Sequence, residues 1–121
     1  MILIIDDDDL VQNLLRSLLK REALETRFAA NGTSGIKHAF EKLPALIICD
    51  VNLPDMSGYD VCRTIKANPQ TQHIPIIILS AFESSPDERD KAFDAGAAAY
   101  VTKVNGWKNL IARVHELLRD S

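Results

Sequence analysis

The sequence predicts an α/β fold in which a five-stranded parallel sheet is covered by helices on both faces. Five apolar segments alternate with five segments of helical periodicity along the 121 residues. The apolar segments at residues 1–5, 46–49 and 74–79 contain no charged residue, which is typical of strands buried on both faces. The length is that of one domain, so we expect residues 1–121 to form a single doubly wound unit.

The first strand, residues 1–5, is followed by the acidic residues Asp6, Asp7, Asp8 and Asp9. A helix comes next, because apolar residues then recur at helical spacing. They are Leu10, Val11, Leu14, Leu15, Leu18 and Leu19. Asp8 or Asp9 can cap this helix and favour its positive end. Capping therefore leaves Asp6 and Asp7, at the end of the strand, without an explanation.

A second and a third strand–helix unit follow. Residues 25–30 predict a short strand, and the turn Asn31-Gly32 begins a helix that ends before a proline. The third strand, residues 46–49, leads directly into the carboxylate of Asp50, and a proline and a glycine then force a loop. Residues 58–67 predict the third helix. Its inward-facing residues are Tyr59, Cys62 and Ile65.

The last two units complete the alternation. Residues 74–80 predict the fourth strand, which ends in a serine. The sequence Ser-Pro-Asp-Glu at residues 85–88 begins the fourth helix with its serine as N-cap, and Gly96 ends that helix. Residues 97–102 predict the fifth strand, which Lys103 follows. The final helix has an apolar stripe made of Trp107, Leu110, Ile111, Val114, Leu117 and Leu118.

The connections between parallel strands restrict the order of the sheet. Right-handed crossovers and the doubly wound arrangement favour the order 2-1-3-4-5, in which the first and third strands are neighbours. Asp6 and Asp7 are then expected beside Asp50, with Ser80 and Lys103 at the ends of the adjoining strands. Open α/β sheets bind their ligands at this carboxyl edge, so the sequence predicts a site there.

Composition argues against several classes of protein. The net charge is −3, from 14 basic and 17 acidic residues, and no cluster of Lys and Arg occurs, so we expect no nucleic-acid binding by this chain alone. The apolar runs are too short to span a bilayer and no secretion signal is recognisable, so we expect no membrane association and a cytoplasmic location. Cys49 and Cys62 are expected to be buried thiols rather than a disulfide or a metal pair.

The acidic groups at the sheet edge suggest metal-assisted chemistry. Three carboxylates in one crevice repel one another unless a cation lies among them. Asp7, Asp50 and a loop carbonyl near Asn52 offer only oxygen ligands, which suit Mg²⁺, whereas no Cys or His has the spacing of a zinc site. Together with a hydroxyl and a lysine, they form the set of groups that phosphoryl transfer needs.

Four motifs resemble those of response-regulator receiver domains, and they occur in order over the whole chain. Each motif alone is weak, but their register on five strand–helix units makes the pattern specific. The resemblance implies a flavodoxin-like (βα)5 fold. The motifs are Ile4-Ile5-Asp6-Asp7, Asp50-Val51-Asn52-Leu53-Pro54-Asp55-Met56-Ser57-Gly58, Ile78-Leu79-Ser80-Ala81 and Tyr100-Val101-Thr102-Lys103.

The resemblance implies a signalling switch of a two-component or phosphorelay system rather than an enzyme. Asp50 would accept a phosphoryl group from a partner histidine kinase or histidine phosphotransfer protein. Asp7 would bind Mg²⁺ directly and Asp6 mainly through water, with the Asn52 carbonyl as a further ligand.

The family pattern also implies how the phosphoryl group would be read. Ser80 would hydrogen-bond one phosphoryl oxygen, Lys103 would pair with another, and Tyr100 would report the state of the switch. The fourth helix and fifth strand would then form part of a partner-binding face. Its candidate residues are Arg89, Lys91, Phe93 and Tyr100.

One position sets this chain apart from the family, and two others bear on its kinetics. The family usually has a proline after the strand-five lysine, joined by a cis bond, but Val104 follows Lys103 here. A cis bond to a residue other than proline costs about 2.5–4 kcal/mol, so we expect a trans peptide and a rearranged loop, on which the reach of Lys103 depends. Asn52 and Phe82 are candidates for tuning the lifetime of the acyl phosphate, because the Phe82 ring can shield it from water.

Three alternatives remain open from the sequence. A Mg²⁺-dependent phosphatase with an aspartyl nucleophile usually has a second aspartate two residues later, where this chain has Asn52. A flavodoxin-like FMN binder shares the fold, but the acidic loop would repel the phosphate of FMN. The chain could also be a receiver fold that binds partners without phosphorylation.

Overall fold

The computed structural model describes residues 1–81, 86–103 and 107–119, in which five strands alternate with five helices. The strands are β1 (Ile2–Ile5), β2 (Thr26–Ala29), β3 (Leu46–Asp50), β4 (Ile76–Ser80) and β5 (Ala99–Thr102). The helices are α1 (Asp9–Arg21), α2 (Gly32–Lys42), α3 (Gly58–Lys66), α4 (Pro86–Asp94) and α5 (Trp107–Arg119). The predicted strand–helix alternation is confirmed.

The five strands form one parallel sheet in the order β2-β1-β3-β4-β5, which confirms the predicted topology. β1 and β3 pair directly, and Ile5 lies opposite Cys49. On the other side of β3, Asp50 lies opposite Leu79 of β4. Because all the strands run in one direction, the residues that follow them meet at one edge of the sheet.

Helices cover both faces of the sheet because each has one apolar stripe. Leu15 and Leu19 of α1 pack with Leu110 and Val114 of α5 on one face, and all four are fully buried. On the other face, buried side chains of α2, α3 and α4 pack against alternate strand residues. Burying a Leu, Ile or Val side chain contributes about 1.5–3 kcal/mol, so these two layers supply most of the stabilisation of the sheet.

Several predicted details of the apolar pattern need correction. Leu10, one of the apolar residues at helical spacing in α1, is 80% exposed, because it lies well round the helix from the buried pair Leu15 and Leu19. The fourth strand begins at Ile76 rather than at residue 74, since Pro75 has no N–H to contribute to the ladder. The fifth strand begins at Ala99 rather than at residue 97.

The predicted helix signals are mostly found where they were expected. Asp8 is the N-cap of α1, and its side chain accepts a 2.9 Å hydrogen bond from the Leu10 N–H. Asn31 caps α2 in the same way, and Gly96 after α4 has a φ of +104°, a conformation that suits glycine. The Ser85 cap, the role of Phe82 and the Lys103–Val104 peptide lie outside the described residues.

The structure also bears on the thiols and on membrane spans. Cys49 and Cys62 are both buried and unbridged, as predicted. Burial raises the pKa of each thiol, that of Cys62 to about 11, so both remain protonated at neutral pH. Among the helical segments described, none is long and apolar enough to cross a bilayer.

Candidate functional site

The candidate site lies at the carboxyl edge of the sheet, where β1 and β3 end side by side. Asp6 follows β1 directly and Asp50 is the last residue of β3. Oxygens of Asp6, Asp7 and Asp50 all lie within 4.8 Å of one another. Asp6 and Asp50 are buried, and Asp7 is exposed. The structure therefore brings together the three carboxylates that the sequence placed at this edge.

Asp6 is held by contacts on both of its carboxylate oxygens. Its Oδ1 accepts a 2.9 Å hydrogen bond from the N–H of Asp8, and its Oδ2 lies 3.2 Å from Lys103 Nζ. The backbone N–H of Asp6 donates to the carbonyl of Ala29 on β2. The side chain is only 1% exposed, so it is a fixed part of the site rather than a mobile surface acid.

Lys103 is the cation that faces this acidic cluster. Its Nζ lies 3.4 Å from Asp50 Oδ1 as well as 3.2 Å from Asp6 Oδ2. The backbone N–H of Lys103 donates a 2.7 Å hydrogen bond to the carbonyl of Ser80, which fixes the start of the side chain beside the end of β4. The described position of Lys103 is therefore within ion-pair distance of Asp50, although its chain neighbour is not a proline.

Asp50 is less acidic than an ordinary aspartate. Burial is the main cause, and the negative charge of Asp6 adds to it, so that the pKa of Asp50 rises from 3.8 to about 6. The ammonium group of Lys103 and the Val51 N–H oppose this rise. At pH 7 the carboxylate form of Asp50 predominates, yet it lies in surroundings that favour a further cation.

The donor set fits a hard divalent cation. Among the residues that the structure describes, three carboxylates meet the ammonium group of Lys103 here, which leaves an excess of negative charge at the carboxyl edge. All the candidate ligand atoms are oxygens, which Mg²⁺ prefers, and Mg²⁺ usually binds through one or two carboxylates. Mg²⁺ is thus the metal that these residues could hold.

The loop after Asp50 is closed by its own backbone. Asn52 and Ser57 form an antiparallel bridge, and the Gly58 N–H donates a 2.7 Å hydrogen bond to the Val51 carbonyl. A Cβ atom at Gly58 would lie well inside contact distance of the Asp50 carbonyl oxygen. Glycine at this position therefore allows α3 to begin directly against the end of β3.

The remaining predicted residues lie on the neighbouring strands. Ser80 ends β4 and is partly exposed, with Thr102 opposite it on β5. Tyr100 is 7% exposed and packs into the core on the side of α3 and α4. The Arg89 guanidinium lies 5.8 Å from the centroid of its ring. Arg89 and Tyr100 also line a cavity of about 360 Å³ between α4, β5 and α5.

Sequence reasoning missed two contacts around the site. The Tyr59 hydroxyl donates a 2.6 Å hydrogen bond to Glu88 Oε2, which joins α3 to α4. The carboxylate of Asp55 accepts hydrogen bonds from the start of α2. Local patterns contain no signal for either contact, because each joins residues more than 20 positions apart in the chain.

Comparison with known proteins agrees with this architecture. A family model described as the response regulator receiver domain matches residues 2–115. Response regulator PleD of Caulobacter vibrioides is 36% identical over 118 residues, which cover 98% of this chain and 26% of PleD. Transcriptional regulatory protein SrrA of Staphylococcus aureus is also 36% identical, over 98% of this chain and 47% of SrrA. The chain thus spans between about a quarter and a half of these relatives.

Solved structures show the same fold. A proposed response regulator of Chloroflexus aurantiacus has a TM-score of 0.91 and 35% identity, covering 98% of this chain and 96% of that one. The signal receiver domain of a histidine kinase from Syntrophus aciditrophicus has a TM-score of 0.89 and 31% identity, covering 98% of this chain and 89% of that one. The likeness therefore extends over nearly the whole described fold.

Proposed function

The chain belongs to the response regulator receiver domain family, and on this premise we propose that it is a signalling switch in which Asp50 is the phosphoacceptor. The observation that carries the proposal is the placement of Lys103 Nζ 3.4 Å from Asp50 Oδ1, beside two further carboxylates. A carboxylate that faces both an ammonium group and a metal-binding cluster is suited to accept a phosphoryl group. The proposal covers residues 1–121 as one receiver domain.

The proposed reaction is transfer from a phosphohistidine. An oxygen of Asp50 forms a bond to phosphorus while the phosphorus–nitrogen bond of the donor breaks, and the electron pair remains on the imidazole nitrogen. The product is an acyl phosphate on Asp50. With a pKa of about 6, Asp50 is mainly the anionic nucleophile at pH 7.

Four residues are proposed to hold Mg²⁺. Asp7, Asp50 and the backbone carbonyl of Asn52 would be direct ligands. Asp6 would act through water, because both of its oxygens already have partners in the protein. The ion would neutralise charge on the phosphoryl oxygens when it is bound.

Lys103 and Ser80 are proposed to bind the new phosphoryl group. Lys103 needs little movement, since its Nζ already lies beside Asp50. Ser80 lies at the end of β4 and would donate its hydroxyl to another phosphoryl oxygen. Closure of these two residues on the added charge would alter the surroundings of Tyr100 and change the protein-binding face.

The proposed partners follow from this chemistry. A histidine kinase or a histidine phosphotransfer protein would supply the phosphoryl group. A downstream protein or output domain would recognise the face of α4, β5 and α5, where Arg89 and Tyr100 line the cavity. A cytoplasmic location remains a prediction that suits such partners.

The other functions suggested by the sequence are less well supported. A phosphatase would need a general acid, and Asn52 stands where the aspartyl-nucleophile phosphatases have theirs. The family assignment favours the switch over both the phosphatase and the FMN binder. A receiver fold that acts without phosphorylation becomes an outcome of the experiment below.

The experiment combines intact mass with Trp107 fluorescence. The unmodified chain receives Mg²⁺ and then acetyl phosphate or beryllofluoride, alongside Asp50→Asn and the control Asp60→Asn, which removes an exposed acid on α3. We expect a Mg²⁺-dependent phosphoryl adduct in the unmodified chain and the control, and none in Asp50→Asn. An unmodified chain without an adduct or a fluorescence response would refute the phosphoacceptor assignment.

A further inference from the structure

Asp55 lies in the loop after Asp50, and its carboxylate is bound to the start of α2. Its Oδ1 accepts a 2.8 Å hydrogen bond from the Gly32 N–H. Its Oδ2 accepts a 2.9 Å bond from the Thr33 N–H and a 2.6 Å bond from the Thr33 hydroxyl. Both carboxylate oxygens are therefore engaged with a segment 22 and 23 residues away in the chain.

The start of α2 is a favourable place for this carboxylate. The first N–H groups of a helix have no partner within the helix, and the helix dipole is positive there. Asn31 caps α2 from its own side by accepting a 2.7 Å bond from the Ser34 N–H. Asp55 thus satisfies the two preceding N–H groups, and its bonds to Thr33 and Gly32 lower its pKa to about 2.

Close packing accompanies these hydrogen bonds. Gly32 has no side chain, and a Cβ atom there would overlap Met56, approaching its Sδ to 2.7 Å. The same Cβ would lie 3.2 Å from Asp55 Oδ1. The absence of a side chain at residue 32 therefore allows the loop to rest directly on the first turn of α2.

The loop is consequently fixed at two levels. At its base, the Gly58 N–H bonds to the Val51 carbonyl and Asn52 bridges to Ser57. Further along, Asp55 attaches the loop to α2. The backbone of Asn52 lies between Asp50 and Asp55. How far it can move therefore depends both on the bonds at the base of the loop and on the attachment of Asp55 to α2.

We propose that Asp55 is a positioning residue for the metal site: by attaching the loop to α2 it holds the backbone of Asn52 in place and so strengthens Mg²⁺ binding. The inference rests on the proposed function, in which the Asn52 carbonyl is a Mg²⁺ ligand. Asp55 does not itself touch the metal in this assignment. Groups that orient metal ligands from outside commonly contribute 10- to 100-fold to metal affinity, so we expect an effect of about tenfold.

The test compares substitutions that separate position from charge. Asp55→Ala removes the charge and the attachment, whereas Asp55→Glu keeps the charge but has a longer side chain. Asp60→Ala is the matched control, since Asp60 is an exposed acid whose side chain pairs with Arg63 on the same helix. Thr33→Val is a milder variant that removes only the hydroxyl contact.

Two readouts are measured on each variant. Amide hydrogen exchange at Gly32 and Thr33 without Mg²⁺ reports the attachment itself. Titration with Mg²⁺, followed by Trp107 fluorescence or calorimetry, gives the dissociation constant. We expect Asp55→Ala and Asp55→Glu to exchange faster at both amides and to weaken Mg²⁺ binding about tenfold, Thr33→Val to weaken it less, and Asp60→Ala to stay within about twofold of the unmodified chain.

The outcomes separate this inference from the proposed function. Faster exchange with unchanged Mg²⁺ affinity in Asp55→Ala would overturn the positioning role alone. If Asp55→Glu bound Mg²⁺ as tightly as the unmodified chain while Asp55→Ala bound it weakly, the effect of Asp55 would be purely electrostatic. That result would also overturn the positioning role. Failure of the unmodified chain to bind Mg²⁺ would overturn the proposed metal site and this inference with it.

Discussion

The hydroxyl of Tyr59 on α3 lies 2.6 Å from Glu88 Oε2 on α4 and donates a hydrogen bond to it. Tyr59 is 7% exposed, and its burial and the nearby carboxylate hold its phenol pKa well above the usual value. Ala92 is the buried residue of α4 itself. Because α4 buries so little apolar surface, its position depends on specific contacts such as the hydrogen bond from Tyr59 to Glu88.

Replacing Tyr59 with Phe should therefore loosen α4. The substitution keeps the ring and removes the donor, so we expect the free energy of unfolding to fall by about 1 kcal/mol and amide exchange in α4 to become faster. Urea titration and hydrogen exchange measure the two effects. Glu88→Gln keeps an acceptor oxygen and should lose less. Unchanged exchange in α4 of Tyr59→Phe would show that other contacts hold this helix.

Removing the cation at the site should make Asp50 a still weaker acid. In Lys103→Met, the attraction that lowers the pKa of Asp50 is lost while burial and the charge of Asp6 remain, so that pKa should rise above about 6. Carboxyl ¹³C chemical shifts measured across a pH titration report it directly. Lys108→Met, an exposed lysine on α5, should leave it unchanged. A lower pKa in Lys103→Met would contradict the described ion pair.

The raised pKa of Asp50 also predicts how stability depends on pH. Between its ordinary value of 3.8 and about 6, the folded chain binds the Asp50 proton more tightly than the unfolded chain does. The contribution of Asp50 protonation to the free energy of unfolding is therefore greatest below pH 3.8 and is lost as the pH rises through 6. After allowance for partial solvation, we expect this loss to be about 2 kcal/mol.

The matched measurement compares the unmodified chain with Asp50→Asn, which lacks this titration. In the absence of Mg²⁺, the free energy of unfolding of Asp50→Asn should exceed that of the unmodified chain increasingly from pH 4 to pH 7. A difference that is independent of pH would contradict the raised pKa.

Mg²⁺ should restore part of the stability that the unmodified chain loses when Asp50 ionises. A ligand at ten times its dissociation constant stabilises the folded state by about 1.4 kcal/mol. Because protons compete with the metal for Asp50, we expect this gain at pH 7.5 and a smaller one at pH 5. EDTA should abolish it, and Asp50→Asn should show little of it. Equal stabilisation of the two proteins by Mg²⁺ would place the ion elsewhere.

The fold was predictable because its signals are local and repeated. Buried strands such as residues 46–49 contain no charged residue, and the helix cap Asp8 precedes apolar periodicity. Once five strands alternate with five helices, the handedness of the crossovers leaves few topologies. Helical spacing alone does not say how wide the buried stripe is, so the sequence did not distinguish the exposed Leu10 from the buried Leu15 and Leu19.

The grouping of Asp6, Asp7 and Asp50 was predictable from the sequence, but the hydrogen bonds that attach the surrounding loop and helices were not. The predicted sheet order makes β1 and β3 neighbours, and this alone predicts that Asp6 lies beside Asp50. The bonds of Asp55 to Thr33 and of Tyr59 to Glu88 depend on how loops and helices pack across long separations in the chain. No period or short motif encodes such contacts, so sequence reasoning could not identify them.

Gly58 lies where α3 approaches the end of β3, and replacing it tests how closely the two must pack. Replacing a glycine in a helix with alanine usually stabilises it by up to about 1 kcal/mol, but here the new Cβ would meet the backbone carbonyl of Asp50. Neither α3 nor the end of β3 can move without disturbing the loop bond from the Gly58 N–H to Val51, so we expect Gly58→Ala to lose more than about 2 kcal/mol of unfolding free energy.

The matched control is Gly35→Ala within α2, where the new Cβ would lie 2.5 Å from Cδ1 of Ile5. The clashing atoms, which include Cγ1 and Cγ2 of Ile5, all belong to one buried side chain and not to the backbone, so the loss there should be smaller than at Gly58. Urea titration of both variants measures the difference. If Gly58→Ala were as stable as Gly35→Ala, the approach of α3 to β3 would be adjustable, and glycine would not be required to place the loop beside Asp50.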